Sequence, residues 1–143
     1  MIEAAAALKT LTIEQVNQIA ADAEAVATHW RAGHKALGIG SIFTAADIDR
    51  AEKAGSYDCP ERARLEAAVL ALSPEGLAEL TALMYVGRGD WDGDDPAEQN
   101  FVDHLHDARQ AIRGDAEHAR YVLDKDPLGE YLRSGLKKLG WAS

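Results

Sequence analysis

The stretch from Leu72 to Pro96 constrains the fold most, because it contains a helix together with its start and end signals. Ser73 suits the N-cap position, where its hydroxyl accepts from a free amide, and Pro74 suits the first helical position. The apolar residues that follow recur at helical spacing: Leu77, Leu80, Leu83 and Met84. Gly87 is the expected left-handed residue at the helix end. We therefore predict a core helix between Ser73 and Gly87.

Similar signals recur along the chain. Thr12 with Gln15, and Thr44 with Asp47, have the spacing of capping boxes. All four prolines fit helix starts, and four further glycines are the predicted helix ends: Gly33, Gly55, Gly114 and Gly140. No alternation of apolar and polar residues persists, which argues against a sheet. We predict an all-α fold, a single-domain helical bundle of about six or seven helices with short capped loops, over residues 1–143.

Composition limits the functions that the chain can have. Its 143 residues suffice for one hydrophobic core, and its net charge of −9 disfavours binding to nucleic acids or anionic membranes. The single cysteine, Cys59, fits a reducing compartment. The N-terminal segment lacks the basic start of a signal peptide, and no apolar run is long enough to span a membrane. We expect a cytoplasmic protein.

The second half of the chain carries a family resemblance. The matching pieces are Ala82-Leu83-Met84-Tyr85 with Gly87-Arg88-Gly89-Asp90, then Tyr121-Val122-Leu123, and finally Leu128-Gly129-Glu130-Tyr131-Leu132 with Gly135-Leu136 and Leu139-Gly140. On these residues, region 65–143 resembles a bacterial domain-of-unknown-function family, the one numbered 3775. The resemblance implies no activity. Residues 1–64 resemble no recognised family, and we expect them to form N-terminal helices of the same domain.

The segment after the core helix is the first candidate site. Arg88 lies between two glycines, and Asp90 is placed to hold its guanidinium in a bidentate pair. Trp91 stands beside Asp92 and Asp94, and an aromatic residue in such a setting is a typical interface anchor. These five residues are the partner- or anion-binding candidates. The alternative is a helix C-cap whose arginine ties the following loop to the bundle. The acidic turn does not fit an EF-hand, because Phe101 occupies the position of the bidentate glutamate.

A mixed patch of acidic residues and histidine is a second metal candidate, beside the acidic turn, for which we prefer a solvated turn over a looser cation site. Asp103, His106 and Asp107 share one face of a predicted helix. A di-iron bundle needs a Glu-x-x-His motif on two helices, and the chain has only this aspartate version. We prefer a solvated helix face and expect no metal and no cofactor. Cys59 and the serines lack the signatures of catalytic nucleophiles, so we also expect no catalytic residue.

The first predicted long helix carries an apolar seam. Its members follow steps of three and four: Val16, Ile19, Ala23, Val26 and Trp30. We prefer packing inside the chain's own bundle, because the seam is short and has an alanine at its centre. The alternative is a homodimer through Val16, Ile19, Val26 and Trp30.

These observations favour a binding role over an enzymatic one. We expect a small protein-binding regulatory or accessory module whose surface includes the Gly87–Asp95 loop, Trp91 and Trp141. One alternative is an acidic nucleic-acid mimic that inhibits a DNA- or RNA-handling protein. Another is a small-molecule or metal-dependent enzyme that uses the Asp103 patch.

Overall fold

A computed structural model describes residues 7–40, 42–55, 58–89, 95–111, 116–125 and 127–141. Within these ranges the chain forms seven α-helices and no strand, which confirms the all-α prediction. In chain order they are α1 (Ile13–Ala36), α2 (Ala45–Lys53), α3 (Pro60–Leu70), α4 (Pro74–Arg88), α5 (Ala97–Ala111), α6 (Ala116–Leu123) and α7 (Leu128–Lys138). No single helix in the described ranges has both the length and the apolar character needed to cross a membrane.

Helix α4 is the centre of the bundle, as its apolar pattern predicts. Ten of its fifteen residues are buried. It packs against α5 and α7, while α1 packs against α3 and α7, and α3 also contacts α6. The hydrophobic core is continuous from Leu11, before α1, to Leu139, after α7. Both halves of the chain therefore contribute to the same core.

The predicted N-caps are present. Thr12 and Thr44 each form a complete capping box, with Gln15 and Asp47 as the respective partners. The hydroxyl of Ser73 accepts from the third amide of α4 at 3.1 Å. Each of these bonds joins residues three positions apart, so local sequence is enough to form it.

All four prolines lie at helix starts, although two are displaced by one position. Pro60 and Pro74 are the first residues of α3 and α4. Pro96 and Pro127 instead lie one residue before α5 and α7, where their carbonyl oxygens accept the first helical hydrogen bonds. The proline signal thus locates each helix start to within one residue.

Gly87 does not end α4, contrary to the prediction. The helix continues to Arg88, and Gly89 adopts the left-handed conformation with φ 92°. Gly87 instead lies at the crossing with α7, where an added Cβ would overlap the backbone carbonyl of Tyr131. Gly135 on α7 is in the same situation against Leu83 of α4. Close approach of two helices, rather than a turn, explains this glycine.

Gly33 likewise does not end α1. The helix extends to Ala36, and Gly38 is the left-handed residue, with φ 72°. The additional turn buries His34, whose ring contacts the ring of Trp30 at a centroid distance of 3.5 Å. Gly55 and Gly140 follow α2 and α7 in the left-handed conformation, as predicted, whereas Gly114 lies outside the described residues.

The seam of α1 packs inside the bundle over its first half only. Val16 and Ile19 are 0% and 3% exposed within the chain's own core. They therefore pack inside the chain's own core, while the homodimer alternative stays a prediction. Val26 and Trp30 remain partly exposed.

Glu79 joins the segment before α1 to the middle of α4, a contact that no local sequence pattern predicts. Its side chain is 0% exposed. Its carboxylate accepts from the backbone N–H groups of Lys9 at 2.8 Å, Thr10 at 3.1 Å and Leu11 at 2.8 Å. A carboxylate is tolerated inside a protein when such bonds replace its hydration. The segment 7–11 is thereby fixed to the central helix.

Candidate functional site

The structure places only part of the predicted loop site. Arg88 is exposed in the last turn of α4, with its guanidinium carbon 4.9 Å from the ring centroid of Tyr85. Asp90, Trp91, Asp92 and Asp94 lie outside the described residues. Their grouping with Arg88 therefore stays a prediction.

Trp141, the other aromatic residue assigned to that surface, packs towards the core. Its ring meets the ring of Phe101 edge to face at a centroid distance of 5.1 Å. Its backbone N–H donates to the carbonyl of Leu136 at 2.8 Å. It is only partly exposed, so its main contacts are structural.

The predicted metal patch lies on the solvent side of α5. Asp103, His106 and Asp107 are all exposed. Asp103 accepts a hydrogen bond from the side chain of Gln99 at 2.9 Å. In the part of the chain that the structure describes, no three His, Cys, Asp or Glu side chains are arranged to hold a metal ion.

A groove of about 480 Å³ opens between α1, α3 and the connection from α6 to α7, with one contribution from α2. Seven of its twelve lining residues are apolar: Ala23, Val26, Ala27, Trp30, Leu65, Leu123 and Leu128. It exists because the seam of α1 continues beyond the residues that the core covers. We call this feature the Trp30 groove.

Trp30 connects the groove to an apolar surface on the loop before α2. Its ring lies 5.4 Å from the ring of Phe43 in an edge-to-face arrangement. The neighbouring Ile42 is 94% exposed. Exposed apolar side chains beside a concave lining are typical of a binding site.

The groove's rim is more basic than the protein as a whole. Three cationic residues, Arg31, Arg62 and Lys125, face two acidic ones, Glu52 and Asp124. The chain itself has a net charge of −9. The groove is therefore a local region where an acidic partner is not repelled by the surrounding charge.

An ion pair in which only the carboxylate is buried joins the two main walls of the groove. Arg64 on α3 donates to Asp22 on α1 at 3.1 Å, and the side chain of Asp22 is only 5% exposed. This hydrogen bond, reinforced by the charge of Asp22, raises the pKa of Arg64 above its ordinary value. On α3, Arg62 also pairs with Glu66 at 3.0 Å.

The groove was not predicted, although the apolar seam contains three of its residues: Ala23, Val26 and Trp30. The seam's spacing does not show that its second half, with Val26 and Trp30, extends beyond the helices that cover its first half. The ring of Phe43 packs on Trp30 and His34, a contact between distant segments that local spacing does not show. The available signal was the apolar pair Ile42-Phe43 beside the glycines of the connection.

Fold and groove together define a small helical-bundle protein with a partly open apolar surface. The chain belongs to the family described as "Protein of unknown function (DUF3775)", whose model matches residues 62–141, more than half of the chain. This confirms the resemblance of the second half. No curated protein and no solved structure matches the chain. The matched region includes the α3, α6 and α7 sides of the groove, while α1 and α2 precede it.

Proposed function

We propose that this protein is a cytoplasmic protein-binding accessory module, and that the Trp30 groove docks a segment of another protein. The segment would carry a leucine or aromatic anchor flanked by carboxylates. The observation that carries the proposal is the partly exposed Trp30 in the groove lining, whose ring packs on Phe43 beside the almost fully exposed Ile42.

The size and lining of the groove support a side-chain anchor. Its volume of about 480 Å³ falls in the range of about 300–1,000 Å³ that is typical of ligand pockets. Tryptophan is enriched among the residues that dominate binding energy, particularly where neighbouring contacts exclude water. Trp30 lies at such a position, between the rest of the groove lining and Phe43.

Charge supports an acidic partner. Carboxylates beside the anchor would meet Arg31, Arg62 and Lys125 at the rim. Elsewhere the acidic surface of the chain would repel the same segment. Complementary charge of this kind contributes orientation and association rate more than affinity.

A peptide display screen tests the proposal without knowledge of the natural partner. Random peptides are selected on the intact protein, and the enriched sequences are then mapped by NMR shift perturbation. We expect an apolar anchor flanked by Asp or Glu, with shifts centred on Val26, Trp30 and Leu65. Enrichment of unrelated sequences, or shifts confined to another face, would contradict the assignment.

Two matched variants separate binding from folding. Ile42→Ser changes an almost fully exposed side chain, so the fold should persist while peptide affinity falls by about tenfold, the effect of about 1.4 kcal/mol. Ile42 does not itself line the groove but adjoins Phe43, whose ring packs on Trp30. Leu70→Ser changes another exposed apolar residue, one that lines a different cavity, and should leave affinity unchanged. Equal effects of the two substitutions on peptide affinity would contradict binding at the Trp30 groove.

The salt dependence of binding distinguishes the nucleic-acid-mimic alternative. A mimic engages a basic partner and weakens steeply as ionic strength rises. Docking of an apolar anchor weakens only modestly. Steep salt dependence together with selection of basic peptides would favour the mimic.

A further inference from the structure

A separate cluster of aromatic and cationic side chains lies where α4, α5 and α6 meet. The hydroxyl oxygens of Tyr85 on α4 and Tyr121 on α6 are 2.6 Å apart. Arg88 lies over the ring of Tyr85, and the Nζ of Lys125 lies 4.1 Å from the ring centroid of Tyr121. We propose that this tyrosine pair, with Arg88 and Lys125, binds a phosphate-class oxyanion, as free phosphate or as a phosphate monoester.

Helical spacing explains why these side chains meet. Tyr85 and Arg88 are three residues apart on α4 and share a face, as do His118 and Tyr121 on α6. Lys125 lies in the turn that follows α6, where its backbone N–H donates to Val122. Two short helix faces thus bring two phenols and two cations to one surface.

The hydrogen bond between the two phenols uses only one of their two O–H protons. When Tyr85 donates to the oxygen of Tyr121, the Tyr121 hydroxyl keeps its own proton for a ligand. Tyr121 is 39% exposed, so an anion can reach it. Hydroxyl, ammonium and guanidinium groups are the donors that proteins use for phosphate.

The electrostatics of the cluster agree with this geometry. The pKa of Tyr121 is lowered from its ordinary value of 10.0, first by the hydrogen bond from Tyr85 and then by the hydrogen bond and charge of Lys125, with a contribution from Arg88. A surface that favours a phenolate favours negative charge at that point. The chain as a whole has a net charge of −9, so a local surface that stabilises negative charge is unusual in it. The same local electrostatic field would attract a bound anion.

Two histidines hold the tyrosines in place. The Nε2 of His118 lies 3.2 Å from the hydroxyl oxygen of Thr81, whose own proton is donated to a backbone carbonyl at 2.7 Å. Nε2 of His118 is therefore the donor in this contact, so this ring nitrogen carries a proton. The His118 ring lies 5.5 Å from the Tyr121 ring, and His104 lies 5.3 Å from Tyr85. The donors are thus arranged before a ligand arrives, which lowers the cost of binding.

NMR of protein labelled at the tyrosine Cζ carbons tests the proposal directly. Inorganic phosphate is titrated at constant ionic strength, with chloride as the balancing anion. We expect saturable shifts of the Tyr85 and Tyr121 signals and none of the Tyr131 signal. No saturable shift with phosphate would overturn the proposal.

Parallel titrations with phenyl phosphate and acetate identify the ligand chemistry. Tighter binding of phenyl phosphate than of phosphate would assign the site to monoesters, and equal binding would assign it to the free anion. Both results support the proposal. Saturation by acetate but not by phosphate would overturn it.

Variants connect the signal to the cluster. Tyr121→Phe should weaken phosphate binding by about tenfold or more, the effect of losing one hydrogen bond to a charged group. Tyr131→Phe, on α7, is the matched control and should bind as the parent does. Unchanged affinity in Tyr121→Phe, with the fold intact by circular dichroism, would overturn the proposal. Lys125 also lines the Trp30 groove, so the two proposals are separated with Ile42→Ser, which should weaken peptide binding and leave phosphate binding unchanged.

Discussion

Substitution of Glu79 tests whether the segment before α1 is an integral part of the bundle. The Glu79 carboxylate is buried and has three backbone N–H groups as partners. Glu79→Gln keeps the size of the side chain but replaces one acceptor oxygen with an NH₂ group. All the partners are donors, so the new NH₂ group faces N–H groups and only one oxygen remains to accept.

The expected cost follows from which amides lose their acceptor. The amide of Leu11 is buried, whereas those of Lys9 and Thr10 are partly buried and can donate their hydrogen bonds to water instead. A hydrogen bond to a charged group contributes about 1.5–3 kcal/mol, and a buried donor left unsatisfied costs about 1–3 kcal/mol. We expect Glu79→Gln to lower the free energy of unfolding by about 3 kcal/mol, a large fraction of the usual 5–15 kcal/mol or so.

An apolar replacement should not restore this stability. Buried ion pairs can often be exchanged for apolar pairs because both partners are side chains. Here the partners of Glu79 are backbone amides, which no substitution removes. Glu79→Leu should therefore destabilise the protein at least as much as Glu79→Gln.

Urea unfolding, followed by far-ultraviolet circular dichroism, measures the effect. The matched control is Glu75→Gln, one turn earlier on α4, where the carboxylate accepts from Arg109 at 2.9 Å near the surface. Exposed pairs of this kind contribute about 0–1 kcal/mol. Amide hydrogen exchange should also show lost protection at Lys9, Thr10 and Leu11 in Glu79→Gln alone. Equal stability of the two variants, or unchanged protection, would refute the reasoning.

Three further predictions concern α4. Gly87→Ala should lower the free energy of unfolding in urea by about 1–3 kcal/mol, because the new Cβ overlaps α7. The control is Gly40→Ala, where the new Cβ meets open space and the free energy of unfolding should change by about 0.5 kcal/mol or less. Gly89→Ala should cost about 1–2 kcal/mol by the same assay, because the residue has φ 92°; a neutral result would contradict the left-handed cap. The hydrogen bond from Arg109 lowers the pKa of Glu75 below its ordinary 4.5, so its contribution to stability is present above that pH and lost as pH falls through the lowered pKa. Urea curves of the parent and Glu75→Gln should therefore differ at pH 7 and converge in acid, and a difference that persists in acid would exclude this origin.

Local sequence predicted the helices and their starts well. The capping boxes of Thr12 and Thr44 and the cap of Ser73 involve neighbours three residues away. Because these hydrogen bonds depend only on residues close together in the sequence, they can be predicted from the sequence. The buried stripe of α4 is similarly visible, since any helix with that spacing of leucines must cover one face.

The candidate binding surfaces were harder to predict because they depend on where helices end relative to one another. The seam of α1 is continuous in sequence, and only the position of its neighbours leaves Val26 and Trp30 partly open. The tyrosine cluster was visible only as two pieces of the family resemblance. Tyr85 and Tyr121 meet only because the helices that carry them, α4 and α6, lie side by side in the folded protein.

The sequence by itself thus determined the all-helical class, the helix starts and the central position of α4, because these follow from contacts within one or two turns. The tertiary structure alone decided the roles of Gly87, Glu79 and Trp30. Each of these residues depends on a contact with a distant segment: Tyr131 for Gly87, the amides of residues 9–11 for Glu79, and Phe43 and Leu65 around the groove for Trp30. Such contacts are set by how the helices cross, which local periodicity does not encode.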